Sequence, residues 1–155
     1  MILYHSSTIE VKVPDLNYSR EFLDFGRGFY LTTLREQAIK YADRFKLREL
    51  PAFLNVYEFP DKWDQFKTLV FDRYDGEWLD FVGKCRNGED HSVFDIVQGG
   101  IANDRIFRTI DLYFSGDMTN DEALRKLKME LPNNQICLRT SESISLLKFI
   151  RSEQL

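Results

Sequence analysis

His5 and the run FGRGFYLTT, residues 25–33, hold the residue types in this chain that could do chemistry, and whether the run holds up a hairpin or holds a ligand depends on the rest of the sequence. A neutral imidazole carries one donor and one acceptor, which suits a hydroxyl. Tyr30 lies inside the run and Tyr41 follows eleven positions later; aromatic faces attract planar cations. Gly26 and Gly28 flank Arg27, and each glycine costs backbone entropy, so each needs a turn or a close approach. Phe29 and the threonines after Leu31 favour a strand. The run therefore reads as a tight turn feeding directly into a strand. Gln135 stands immediately before the apolar Ile136-Cys137-Leu138, able to accept a hydrogen bond but not to carry charge. The double glycine in VQGGIAND, residues 97–104, follows a strand-like stretch and is compatible with phosphate binding. No Lys-Ser/Thr follows it, so a P-loop is rejected. Taken singly, each feature has a plain reading: a strand-end histidine, a β-turn, an apolar helix face around Tyr41, a polar loop at Asn133-Asn134-Gln135.

The elements that must position these residues follow from periodicity and punctuation. A short apolar strand, 2–4, ends at His5. Ser6, Ser7 and Thr8 are turn residues, and Pro14 holds 11–19 as an extended loop. A second strand covers 28–32. Thr33 offers an N-cap with Glu36 three residues on, the spacing of a capping box. A helix over 34–45 places Ala38, Tyr41, Ala42 and Phe45 on one face. Strands are expected over 52–59, 69–71, 93–97 and 136–138. Helices are expected over 77–85, 104–114, 120–127 (with Thr119 as cap) and 141–150. Trp78, Phe81 and Val82 belong to the core. Strands and helices mix without regular βα alternation, so the class is α+β.

The 155 residues predict one domain over 1–150 with a tail over 151–155. The chain is 43% hydrophobic and 30% charged, an ordinary soluble composition. A net charge of −4 makes broad electrostatic capture of nucleic acid the unfavoured expectation, although Arg and Lys gather between Arg35 and Arg48. Cys85 and Cys137 form no CxxC pair, and His5 and His91 are the only histidines. A metal site is not expected, and two free thiols fit a reduced cytoplasm. MILYHSS is not a signal peptide, and no stretch approaches transmembrane length, so no membrane partner is expected.

In order, a strand ending in His5, then GRGFYLT, then a helix carrying Tyr41 resemble the ADP-ribosyltransferase fold in its diphtheria-toxin and poly(ADP-ribose) polymerase branch. LYHSS, LDFGRGFYLTT, EQA and NNQICLRT, between Leu3 and about Phe149, are similar to the motifs of a bacterial family formerly of unknown function grouped with that fold. The resemblance implies a split antiparallel β-sheet core with flanking helices, and NAD as co-substrate. It implies catalytic roles for His5, which would hold a ribose hydroxyl, for Tyr30, and for Gln135. Ser6, Ser7, Gly26, Gly28, Phe29, Thr32 and Tyr41 would bind NAD, with Tyr30 and Tyr41 stacked on the nicotinamide ring. Ser6 replaces the usual Gly. Gln135 replaces the usual Glu, whose charge would stabilise an oxocarbenium-like transition state. Gln135 thus implies slow chemistry, a carboxylate from elsewhere, with Asp24 and Asp95 both open, or substrate assistance. Arg20 and Arg27 flank the expected cleft, where pyrophosphate contact and plain solvation are both open.

The function so implied is NAD-dependent mono-ADP-ribosyl transfer by the toxin of a bacterial toxin–antitoxin pair. A small antitoxin protein would be a partner, and a protein or nucleic acid the acceptor. The alternatives are a catalytically weak domain that binds NAD or ADP-ribose and acts through partner contacts, and an NAD glycohydrolase.

Overall fold

Side-chain alternation along the first strand sets the layering. The computed structural model describes residues 1–129 and 133–155. On β1 (Ile2–Ser7), Leu3 is buried among Tyr57, Ile136 and Leu138, whereas Tyr4 packs toward Ala38, Leu54 and Val56. Odd and even residues therefore meet different cores, as a strand buried on both faces requires. The even face is covered by α1 (Arg35–Lys46), which buries Ala38 and Ala42. The odd face looks toward a second sheet.

The first sheet has the order β1-β3-β7, all antiparallel, with β3 (Phe53–Glu58) at its centre. The second has the order β2-β6-β5-β4, built from β2 (Phe29–Leu31), β6 (Gln135–Leu138), β5 (Ile96–Gly99) and β4 (Thr68–Val70). The class is α+β. The sheets are antiparallel except for one parallel pair, β4 with β5, a departure from the expected antiparallel core. Reciprocal main-chain bonds of 2.9 and 3.0 Å between Tyr4 and Thr32 join the sheets at one bridge. Behind the second sheet pack α2 (Gly76–Arg86), α3 (Asp104–Phe114) and α4 (Asn120–Leu127), burying Trp78, Val82, Ile106, Ile110 and Leu127 around Phe25.

Caps explain which helix ends were readable. Thr119 forms the capping box with Glu122, so α4 starts where its sequence says. Thr33 does not cap α1: Leu34 occupies that position without a side-chain bond. The Thr33 hydroxyl instead accepts from Asn134 Nδ2 at 2.7 Å, and Thr32 Oγ1 accepts from Leu34 N.

The C-terminal stretch departs most from expectation. Its spacing predicts a helix over 141–150, but α5 covers only Ser141–Ile144. Residues 148–150 and most of the expected tail form β7 (Lys148–Gln154), the third strand of the first sheet. The apolar spacing of 144–150 fits either period. A free edge on β3 decides between them, since β7 satisfies that edge and sets Phe149 edge-on to Tyr57 at 5.9 Å. No helix among the described residues is long and apolar enough to cross a membrane.

Candidate active site

β1 delivers His5 to the edge of β2. Its Nδ1 lies 2.7 Å from the Tyr30 carbonyl oxygen. A carbonyl only accepts, so Nδ1 carries the proton and donates. Burial lowers the His5 pKa below its ordinary value, against the opposing pull of that bond. The ring is therefore neutral near pH 7, and its Nε2 presents a lone pair. No described residue bonds that nitrogen. Phe29 backs the imidazole with ring centroids 4.3 Å apart, and is itself held edge-on by Tyr57.

Tyr30 points to the other face of the second sheet. Its ring packs beside Phe25, within the core under α2–α4. Its hydroxyl donates to Gly26 O at 2.6 Å and accepts from Phe25 N at 3.0 Å. The phenol thus closes the turn that precedes its own strand, and burial raises its pKa well above the usual value. Gly26 needs to be glycine because its φ is +73°. Gly28 has a different reason. A Cβ there would lie 2.3 Å from Cys137 Sγ and 2.9 Å from Leu138 O, so β6 demands the absent side chain. A neighbouring strand is thus what approaches Gly28. Both thiols are buried, which pushes Cys85 and Cys137 up to about 12 and leaves them protonated.

Gln135 opens β6 and is buried on the same face as Tyr30. Its Nε2 donates to Asp24 Oδ2 at 3.0 Å and to Gly100 O at 3.1 Å. Both partners are pure acceptors, so the amide can face them only with its nitrogen. Its Oε1 bonds no described residue. Asp24 Oδ2 also accepts from Ala102 N, while Oδ1 takes two bonds from Arg86, through Nε at 3.1 Å and Nη2 at 2.5 Å. The Arg86 guanidinium carbon stands 3.0 Å from the centre of the Phe107 ring. Of the two carboxylates left open by the sequence, Asp24 is the one beside Gln135. Asp95 instead accepts from Lys67 N through its side chain.

Four expected ligand residues have other partners. The Ser6 hydroxyl donates to Ala38 O of α1 at 2.6 Å, on the face away from His5. The Ser7 hydroxyl donates to Ile9 O. Thr32 Oγ1 donates to Asn134 Oδ1 at 3.0 Å. Tyr41 is exposed on α1, edge-on to Phe45, with the Arg44 guanidinium 3.9 Å from its ring centre. It touches neither the Tyr30 ring nor the imidazole. It shares a helix face with Gln37, four residues earlier, which holds the main chain of Asn134 through both of its amide atoms. The structure thus brings His5 and Gln135 to the two sides of β2, and does not bring the two phenols together.

Sequence reasoning missed Arg86 and Arg139. Arg86 ends a helix among ordinary surface residues, and only its buried contact with Asp24 marks it. Arg139 follows β6 and pairs with Asp90 at 2.7 Å and Ser92 at 3.0 Å. These three line a depression of about 650 Å³ together with Gly26, Arg27 and Thr140. It lies at the far end of β6 from Gln135. Arg27 itself donates to Leu16 O through Nε and Nη2, its hydrogen bonding directed at a loop carbonyl.

Residues 1–149 match the model of the family described as "Protein of unknown function (DUF3990)", and the chain belongs to that family. No curated protein and no solved structure matches it.

Proposed function

We propose that this member of DUF3990 is an NAD-dependent ADP-ribosyltransferase whose preformed part is a pair of acceptors for ribose hydroxyls, one on each side of β2. One observation carries the reading: His5 Nε2 and Gln135 Oε1 are oriented acceptors without a partner among the described residues, one on each side of β2. Hydroxyls of a ribose supply the donors that such atoms need. The ordered motifs LYHSS, GRGFYLTT and NNQIC support the same reading. In the reaction, the bond between the ribose anomeric carbon and the nicotinamide nitrogen breaks, and the electron pair leaves with nicotinamide. A nucleophile on the acceptor forms the new bond at that carbon and loses a proton. Neither oxidant nor reductant is needed.

Asp24, Arg86 and Gln135 together carry no net charge. A cationic transition state gains little from such a trio, so slow turnover fits this site better than fast. The stacking half is not preformed: Tyr41 would have to leave its contacts with Phe45 and Arg44 to cover a nicotinamide ring. A toxin neutralised by a small antitoxin protein, acting in the cytoplasm on a protein or nucleic-acid acceptor, is the biological setting that the motif resemblance suggests.

The neutral trio favours one second reading, NAD binding with hydrolysis or with little turnover. Incubating the protein with cell extract and NAD labelled in its adenylate separates the readings. Label on a macromolecule supports transfer. Free ADP-ribose alone supports hydrolysis. NAD bound yet returned unchanged supports a binding domain, and no interaction with NAD rejects all three.

A further inference from the structure

We infer that Asp24 is a positioning residue: it fixes the Gln135 amide so that the carbonyl oxygen, not the nitrogen, faces the ligand. The inference rests on the ADP-ribosyltransferase reading for the ligand, and on geometry for the rest. Gln135 is buried at the first position of β6, and a buried primary amide has two orientations. Asp24 Oδ2 and Gly100 O both face its nitrogen and can only accept, so one orientation is allowed. Asp24 is held in turn from two further sides. Arg86 binds Oδ1 with a forked pair of bonds, and Ala102 N binds Oδ2. Arg86 is packed on Phe107. The constraint therefore runs from α2 and α3 through Asp24 to one oxygen on β6.

A consequence follows for the charge that Gln135 lacks. Glutamate at this position would set a carboxylate oxygen against two acceptors that now receive N–H bonds. Two buried carboxyl groups that close cannot both ionise without large cost. The glutamine is thus matched to Asp24. Moving the charge onto position 135 requires moving it off position 24.

The test is a four-member cycle on the full chain: wild type, Asp24→Asn, Gln135→Glu, and the double variant that exchanges carboxylate and amide. NAD binding by calorimetry and thermal melting are both read. Gln135→Glu is expected to lose about tenfold or more in NAD affinity and to melt earlier. In the double variant the amide now at position 24 can donate to the carboxylate now at position 135, so affinity and melting temperature should recover well beyond the product of the single effects. If Gln135→Glu binds NAD as well as wild type does, or if it loses affinity and Asp24→Asn brings no recovery, the positioning role is overturned. If the melting cycle shows coupling while NAD affinity does not, Asp24 is structural only, and the inference again fails. A wild-type protein that binds no NAD overturns the functional reading and the inference with it, whatever the melting cycle shows.

Discussion

The two sides of β2 treat polar groups in opposite ways. On the first-sheet side stands one imidazole, tied by a single bond to the Tyr30 carbonyl and backed by Phe29. On the α2–α4 side stand Tyr30, Asp24, Arg86 and Gln135, which take most of their bonds from one another or from the main chain. The first side is sparse and leaves His5 Nε2 without a partner among the described residues. The second is a network that leaves Gln135 Oε1 over. A sparse site tolerates change in stability but not in function. A network ties both to each partner, because removing one member strands the rest.

The largest expected effect breaks the network. Asp24→Ala leaves the Arg86 charge without its partner and strands the Gln135 and Ala102 donors, at an expected cost of about 3–5 kcal/mol in urea unfolding. Little change would mean that Arg86 readily finds water. Gly28→Ala comes next, because the new methyl overlaps Cys137 Sγ and Leu138 O. Overpacking of this kind costs about 1–3 kcal/mol, read as a lowered urea midpoint. Tyr30→Phe removes the hydroxyl that bridges Phe25 N and Gly26 O, costing about 1–2 kcal/mol. An unchanged midpoint would show that the turn closes without it.

The smallest effect concerns the sparse side and sharpens the contrast. His5 is held neutral, with its folded pKa below the ordinary 6.5. Its contribution to stability is complete above 6.5 and is lost as pH falls from there through the folded pKa, because the unfolded chain binds the proton more readily. Urea unfolding should therefore lose stability between about pH 7.5 and 5.5 more steeply in wild type than in His5→Gln. Equal slopes would mean that the imidazole is not buried as described.

Legibility followed how local each signal was. Thr119 and Glu122 lie three residues apart and cap α4 as expected, and α3 spans Asp104–Phe114 as its spacing predicts. Thr33 carried the same local signal and failed, because Asn134, distant in sequence, takes its hydroxyl. β7 was unreadable because an open edge on β3, not its own periodicity, selects it. His5, Gln135 and Asp24 were visible as candidates. The Asp24–Gln135 bond spans most of the chain, so only the fold could choose Asp24 over Asp95. The pairing of Tyr30 with Tyr41 was implied by the family resemblance, but alternation on β2 and the exposed face of α1 send the two rings apart.

The central claim is that the two oriented acceptors flanking β2 receive hydroxyls of NAD, and nuclear magnetic resonance with NAD tests it most directly. Titrating NAD into protein carrying nitrogen-15 in its histidine rings and glutamine amides should move the His5 Nε2 and Gln135 side-chain signals together, with one saturation curve, while His91 stays in place. Saturating NAD that leaves both His5 and Gln135 unmoved would contradict the claim.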